Sequence, residues 1–290
     1  QRCVNRIGIG ILGAGWSGEY HAAAINSNPA LSLVSIYDRD EGKARDFASR
    51  HHIPKLQRDE EYVIDDSDVD IVVVATPTPF HFSTVKEIAK RGKGIVLETP
   101  ISDTASEASE IISLAEEEGI FLFPVSTLSA APEIRKIKER LSPSSSFTVD
   151  FSLLSPYPRW KRNWTPYSSR LTRNMALLAG SYEVMDAIYY LFEEEKAMAI
   201  EPMPWGLEVS FSSGKLLLRD GGSSLTINIG GEKGERIDFS ALYSRPLALL
   251  PLWYSSVVET LEKGVWDEGA LSRSIRSLET ISAFPGPLIH

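Results

Sequence analysis

Residues 6–18 read RIGIGILGAGWSG. The first seven residues form a short β-rich run, apolar after Arg6, and the pattern G-x-G-x-x-G follows at once, before a helical pattern begins. In such a setting the first two glycines allow a tight turn and a close approach of backbone to a phosphate. The third glycine lets the helix pack against the strand. The stretch predicts a strand, a turn and a helix whose N-terminus can bind a pyrophosphate; its glycines are Gly13, Gly15 and Gly18.

An acidic residue ends the next predicted strand. Asp38 would accept hydrogen bonds from the ribose of an adenosine, which favours NAD, whereas Arg39 beside it could meet a 2′-phosphate and leaves NADP open. In the alternative interpretation the glycines form only a turn, and Asp38 is a solvated loop residue. The glycine motif, its place between a strand and a helix, and the acidic residue Asp38 together favour cofactor binding. The residues expected to contact the cofactor here are Gly13, Gly15, Trp16, Ser17, Gly18, Asp38 and Arg39.

Apolar runs alternate with helical patterns through the first 125 residues. The run 69–75, VDIVVVA, is typical of a parallel strand buried on both faces. This alternation indicates βαβ units, so the α/β part of the chain is predicted to be a dinucleotide-binding Rossmann domain over residues 1–125, with a doubly wound parallel sheet.

The pattern changes after Pro132, where short strands follow one another with glycine turns between them. We expect residues 126–290 to form an α+β domain for substrate binding and oligomerisation. Its sheet should be open and mostly antiparallel, with one face covered by the helical patterns near 175–191, 252–263 and 268–283. The last helix is placed either there or back on the first domain.

Composition excludes several classes of protein. The 290 residues carry a net charge of −9, which argues against a nucleic-acid binder. Cys3 is the one cysteine, so no internal disulfide forms, and a cytoplasmic location is expected. No apolar run is long enough to cross a membrane, the N-terminus lacks the pattern of a signal peptide, and no metal site is predicted.

Three further stretches resemble the Gfo/Idh/MocA family of sugar and inositol oxidoreductases. They are ATPTPFH at 75–81, ETPI at 98–101 and LLAGSYEVMD at 177–186. The resemblance implies a Rossmann domain whose cofactor lies against an open antiparallel sheet. It also implies that the nicotinamide side of the cleft is lined by Thr76, Pro77, His81 and Glu98.

The departures from the family pattern concern its chemistry. Family enzymes read E-K-P where this chain has Thr99, and threonine is not a base at neutral pH. On the later helix Glu183 stands at the family's histidine position and Ala179 at that of an aspartate, while Asp186 is retained. Oxidising a carbinol requires a base, so the standard reaction is expected to be lost. In lacking that lysine the chain also resembles biliverdin reductase.

Glu183 is the remaining candidate for a catalytic group. A desolvated carboxylate can act as a general acid or base, but the residue could equally cap or pair with a neighbour and have no catalytic part. Tyr182 precedes it and is a substrate candidate, although adjacent helical residues face different ways. Asp186 is expected to be a structural hydrogen-bonding residue.

The segment 155–174 contains five cations among aromatic residues and no acid. Such a mixture suits an anionic or planar ligand, and an exposed loop is the competing interpretation. The candidate substrate residues are Tyr157, Arg159, Trp160, Lys161, Arg162, Trp164 and Tyr182.

Two functions follow from the sequence. The favoured one is an NAD(P)-dependent oxidoreductase with altered catalytic residues, acting on a small, anionic or conjugated substrate. The other is a non-catalytic NAD(P)-binding sensor whose ligand is an effector. A homodimer or homotetramer is expected through an apolar stripe of the second sheet, made of Leu216, Leu218, Leu225, Ile227 and Ile229.

Overall fold

The computed structural model describes residues 6–142, 145–153, 175–203, 206–220, 224–230, 235–238, 249–264 and 268–284. Its contacts divide the chain into two compact units. The first comprises Gln1–Val125 and Leu250–Ser274, and the second comprises Ser126–Leu249 and Ile275–His290. The predicted basic and aromatic segment, from Tyr157 to Trp164, lies outside the described residues.

The first unit alternates strands and helices. Its elements are β1 (Ile7–Leu12), α1 (Trp16–Asn26), β2 (Leu31–Tyr37), α2 (Glu41–His51), β3 (Lys55–Leu56), α3 (Glu60–Ile64), β4 (Ile71–Val74), α4 (His81–Ala89), β5 (Gly94–Leu97), α5 (Ala105–Glu117) and β6 (Leu122–Pro124). A short 3-10 turn, Thr78–Phe80, precedes α4.

The strands of this unit form one parallel sheet in the order β3-β2-β1-β4-β5-β6. The predicted doubly wound sheet is confirmed. Every residue of β4 is buried because helices cover both faces of the sheet. The strand order reverses between β1 and β4, which opens a crevice at the carboxyl ends of these two strands.

The second unit begins with a 3-10 turn, Leu128–Ala130. Its regular elements are α6 (Pro132–Arg140), β7 (Phe147–Leu153), α7 (Met175–Leu191), β8 (Ala199–Met203), β9 (Gly206–Ser210), β10 (Gly214–Asp220), β11 (Ser224–Ile229) and β12 (Glu235–Asp238). Their sheet has the order β12-β11-β7-β10-β9-β8, and among its described pairings only β7 with β10 is parallel. The predicted mostly antiparallel sheet is confirmed.

The last two helices are α8 (Leu250–Lys263) and α9 (Glu268–Ser282). We expected α8 to cover the second sheet, and this is wrong, because α8 belongs to the first unit and packs against α1. The division between the units falls within α9, after Ser274. Among the described residues no helix is long and apolar enough to cross a membrane.

The apolar stripe predicted for an interface lies inside the second unit. Leu216 pairs with Val149 and Val209 on the neighbouring strands, and Ile227 also pairs with Val149. Directly paired residues share a face of a sheet. On this face Phe147 stacks on Phe192, just after α7, at 4.1 Å between ring centroids. Of the five stripe residues four are at most 2% exposed and supply no free apolar surface for association, whereas Ile229 is half-buried.

Leu216→Ala should lower the free energy of unfolding by about 2–5 kcal/mol, because it leaves a cavity in this interior. Lys215→Ala, the neighbouring exposed residue, should change it by less than about 0.5 kcal/mol. Urea denaturation at two protein concentrations measures both. A Leu216 variant with unchanged unfolding but altered oligomeric state would restore the stripe as an interface.

Candidate functional site

Two of the three motif glycines are required by packing within the first unit. Gly13 has φ +109°, and a Cβ there would lie 2.6 Å from the carbonyl oxygen of Ala75. A Cβ at Gly18 would lie 2.3 Å from the carbonyl oxygen of Gly13. Any side chain at either position would collide with backbone, so these two glycines are explained by the close approach of β1, α1 and β4.

Gly15 has no such explanation within the protein. Its φ of −83° suits any residue, and a Cβ built there meets no atom within 4 Å among the described contacts. Gly15 is also the N-cap of α1, where the structure shows no side-chain cap hydrogen bond. The first turn of α1 therefore presents backbone N–H groups and a positive helix end beside open space, which suits a phosphate.

Asp38 holds the glycine turn against the end of β2. Its Oδ2 accepts a hydrogen bond of 2.7 Å from the backbone N–H of Ala14, and its Oδ1 accepts one of 2.8 Å from Asp40. Asp38 is therefore a bonded residue of the turn and not a solvated loop residue. Each carboxylate oxygen can accept a second hydrogen bond, so capacity for a ribose hydroxyl remains. Arg39, next to it, is exposed.

Residues after β4 line the other side of the crevice. The Oγ1 atom of Thr76 is buried and has no hydrogen-bond partner among the described residues. Pro77 begins the 3-10 turn before α4. The fully buried ring of His81 contacts two carbonyl oxygens, that of Thr76 at 2.8 Å from Nε2 and that of Ile101 at 3.1 Å from Nδ1. Burial lowers the pKa of His81, although both carbonyls favour the protonated ring.

Glu98, directly after β5, is the centre of a hydrogen-bonded chain. Its Oε1 accepts from the Ser17 hydroxyl and lies 2.8 Å from Nε2 of His21, while its Oε2 accepts from the backbone N–H of Thr99 at 3.2 Å. The Nδ1 of His21 lies 2.6 Å from the hydroxyl of Tyr254 on α8. The chain thus joins the glycine turn, β5 and α8 within one unit.

The charge state of Glu98 follows from these partners. Burial raises the pKa of Glu98, but the bonds and charge of His21, with the bonds from Ser17 and Thr99, outweigh it and hold that pKa below its ordinary value. Burial, and then the charge of Glu98, raises the pKa of Tyr254 well above its ordinary value. At neutral pH Glu98 is therefore a carboxylate and Tyr254 an uncharged hydroxyl.

Thr99, which we expected at the family's lysine position, forms a hydrogen bond within the first unit. Its hydroxyl donates a hydrogen bond of 3.2 Å to the carbonyl oxygen of Val125, after β6. This bond links the loops that follow two neighbouring strands. It leaves no group at position 99 that takes up a proton at neutral pH.

The candidates on α7 belong to the second unit. Oε2 of Glu183 lies 3.4 Å from the backbone N–H of Leu128 and 3.5 Å from the hydroxyl of Thr127, at the start of the 3-10 turn. That position fits the capping interpretation. Asp186 is almost completely buried and accepts from the hydroxyl of Ser126. The side chain of Tyr182 is 1% exposed.

Sequence analysis missed two residues of the chain around Glu98. His21 lies one helical turn beyond the glycine motif, and a histidine on a buried helix face carries no signal of its own. Tyr254 is 233 residues away from His21 in the sequence. Because we expected α8 to cover the second sheet, we did not expect a residue of α8 near the glycine turn. Neither contact follows from spacing.

The first unit is similar to a known family of proteins. Residues 7–125 match the family described as GFO_IDH_MocA, an oxidoreductase family with an NAD-binding Rossmann fold. A trans-1,2-dihydrobenzene-1,2-diol dehydrogenase of Xenopus tropicalis is 31% identical over 144 residues, which are 49% of this chain and 44% of that relative. The chain spans less than half the length of the curated relatives it matches: 39% of the oxidoreductase YrbE of Bacillus subtilis and 44% of this dehydrogenase.

Two solved structures share the fold over nearly the whole chain. GenD2 from gentamicin A biosynthesis, solved with NAD, has a TM-score of 0.78 at 19% identity, covering 96% of this chain and 93% of that one. A biliverdin reductase of Synechocystis sp. PCC 6803, solved with biliverdin and NADP⁺, has a TM-score of 0.68 at 19% identity, covering 95% and 96%. At such identity the likeness concerns the fold.

Residues 7–125, within the first unit, therefore match the Gfo/Idh/MocA oxidoreductase family with its NAD-binding Rossmann fold. The predicted family and the predicted NAD-type cofactor are confirmed at the level of this match, which describes an NAD-binding Rossmann fold over residues 7–125.

The glycines should differ in their effect on stability. Gly13→Ala should lower the free energy of unfolding by about 3 kcal/mol or more, because it combines a collision with backbone and a strained φ. Gly15→Ala should cost about 1 kcal/mol or less, the effect of alanine at an N-cap. Thermal and urea denaturation of both variants measure the difference, and equal losses would show that Gly15 too is required by packing.

Proposed function

We propose that this protein is an NAD(P)-dependent oxidoreductase of altered catalytic residues that binds its dinucleotide at the glycine turn of the first unit. The observation that carries the proposal is Gly15: the chain has a glycine where no atom of the described residues requires one. The uncapped start of α1 and the orphan Oγ1 of Thr76 lie in the same crevice and offer donors and an acceptor to a ligand. The residues present therefore fit a dinucleotide.

The proposed contacts follow the order of the strands. Backbone N–H groups of Trp16 and Ser17 at the start of α1 would hold the pyrophosphate, and Asp38 the adenosine ribose, which favours NAD. On the other side of the crevice Thr76, Pro77, His81 and Glu98 would line the nicotinamide half. When bound, the nicotinamide supplies hydride exchange.

The proposed alteration concerns the group that would exchange a proton with the substrate during hydride transfer. Position 99 offers no base, and the carboxylate of Glu183 is near a backbone N–H group that it can cap. A substrate that accepts hydride without much help from a protein acid, such as a conjugated one, fits this set of residues. Because one relative is named as a trans-1,2-dihydrobenzene-1,2-diol dehydrogenase, this diol is tested beside the conjugated acceptors, and its oxidation should be the slower reaction because a carbinol requires a base.

A second candidate function is a non-catalytic NAD(P)-binding sensor. It is favoured by the local hydrogen bonds of the two residues at altered catalytic positions, since Thr99 donates to Val125 and Glu183 approaches Leu128. Both residues then have structural parts that require no reaction. The two candidates share the binding site and differ only in turnover.

Binding is tested by titrating NADH and NADPH while following energy transfer from tryptophan to the reduced nicotinamide, with Trp16 in the turn as a reporter. NADH should bind more tightly than NADPH. The series Gly15→Ala and Gly15→Val should weaken NADH binding progressively, by about 10-fold or more for valine, because the side chain fills the phosphate space. Ser109→Ala, an exposed change on α5, is the control.

Absence of binding in a folded sample free of nucleotide would contradict the proposal. Unchanged affinity in the Gly15 series would place the ligand elsewhere.

Turnover separates the two candidates. With NAD⁺ and trans-1,2-dihydrobenzene-1,2-diol, and with NADH and a panel of conjugated carbonyl compounds, an oxidoreductase should change the absorbance of the reduced nicotinamide. Gly15→Val should reduce that change at dinucleotide concentrations that only just saturate the original protein, and higher concentrations should restore it. Tight NADH binding with no exchange across the panel would favour the sensor.

A further inference from the structure

Glu98 lies where the strand order places the nicotinamide half of the ligand. A dinucleotide spans the crevice at the reversal between β1 and β4, and Asp38 at the end of β2 marks its adenosine half. The other half then meets the carboxyl ends of β4 and β5, where Thr76 and Glu98 lie. The bond from Ser17 to Glu98 shows that this carboxylate reaches the glycine turn itself.

The negative charge of Glu98 is fixed in place by several donors. Ser17 and His21 bind one carboxylate oxygen, and the backbone N–H of Thr99 binds the other. The Glu98 side chain is nevertheless 20% exposed, whereas that of His21 is fully buried. The carboxylate is therefore the accessible end of an otherwise buried chain, and a ligand in the crevice can experience its charge.

The exposed part of the Glu98 carboxylate lacks the lysine that neighbours it in family enzymes. A carboxylate only accepts, so Nε2 of His21 carries the proton between them. The side chain of His21 is fully buried, with Nδ1 2.6 Å from the hydroxyl of Tyr254, so the carboxylate and not the imidazole is accessible to a ligand. The two ring nitrogens of His81, on α4, contact the backbone carbonyl oxygens of Ile101 and Thr76 and not Glu98. The lysine that family enzymes place directly after this glutamate is threonine here, so the neighbouring cation is missing.

We propose that Glu98 is a fixed anion that makes this site prefer the oxidised dinucleotide over the reduced one. The oxidised nicotinamide ring carries a positive charge that the reduced ring lacks, so a nearby carboxylate stabilises NAD⁺ more than NADH. The inference rests on the proposed function, because it requires that the dinucleotide bind in this crevice. It assigns Glu98 a part in selecting the redox state, beyond its structural bonds.

The test is calorimetric titration of the original protein and Glu98→Gln with NAD⁺ and with NADH. Glutamine keeps the shape and removes the charge. The ratio of the dissociation constant for NAD⁺ to that for NADH should rise by about 2- to 5-fold, the size of a partly exposed charge interaction. An equal change in both affinities would overturn the proposal and leave Glu98 as a structural anchor.

A second pair of variants tests the same charge without touching Glu98. Thr99→Lys adds a cation beside it, and Thr99→Met is its uncharged control of similar length; both remove the bond to Val125. The ratio should rise in the lysine variant relative to the methionine variant, and equal ratios would overturn the proposal. This pair decides the matter if circular dichroism shows Glu98→Gln unfolded. Failure of the original protein to bind either dinucleotide would instead refute the proposed function.

Discussion

The carbonyl oxygen of Gly13 lies so close to α1 that position 18 has no room for a side chain. This contact sets the distance between β1 and α1, and the contact of Gly13 with Ala75 sets the distance from the turn to the end of β4. Together they bring the start of a helix to the point where the strand order reverses. The remaining features of the crevice, the bond from Ala14 to Asp38 and the chain from Ser17 to Glu98, depend on the turn being held there.

The sequence predicted those parts of the fold whose cause is local. The glycine turn is recognisable because close contacts with backbone exclude side chains at neighbouring positions. Strand β4 is recognisable because burial on both faces makes consecutive residues apolar. It did not predict β3 and α3, which have two and five residues and are too short to show a period. It missed β8 as well, a mostly exposed edge strand that contains Pro202 and has no apolar face to display.

Contacts between elements that are far apart in the sequence could not be predicted from the apolar pattern. The apolar alternation in β10 and β11 correctly indicated strands, but alternation cannot tell whether a face is covered by the same chain or by another copy. In the structure the face lies against the interior of the second unit, where Phe147 meets Phe192. The amphipathic pattern of α8 likewise fixes a helix with a buried side and leaves open which unit buries it. Packing of α8 on α1 is what brings Tyr254 to His21.

The two positions at which we expected altered catalytic residues, Thr99 and Glu183, both have local hydrogen-bond partners. A threonine can donate to a carbonyl oxygen at the end of β6, as Thr99 does, whereas a lysine has a longer side chain and a charge that would need a different partner. A threonine at position 99 adds no cation beside Glu98, whose carboxylate accepts from Ser17, His21 and the backbone N–H of Thr99. Under the proposed function, the position that supplies no base to the substrate also supplies no positive charge near the nicotinamide, so the binding and the chemical properties of this crevice are linked.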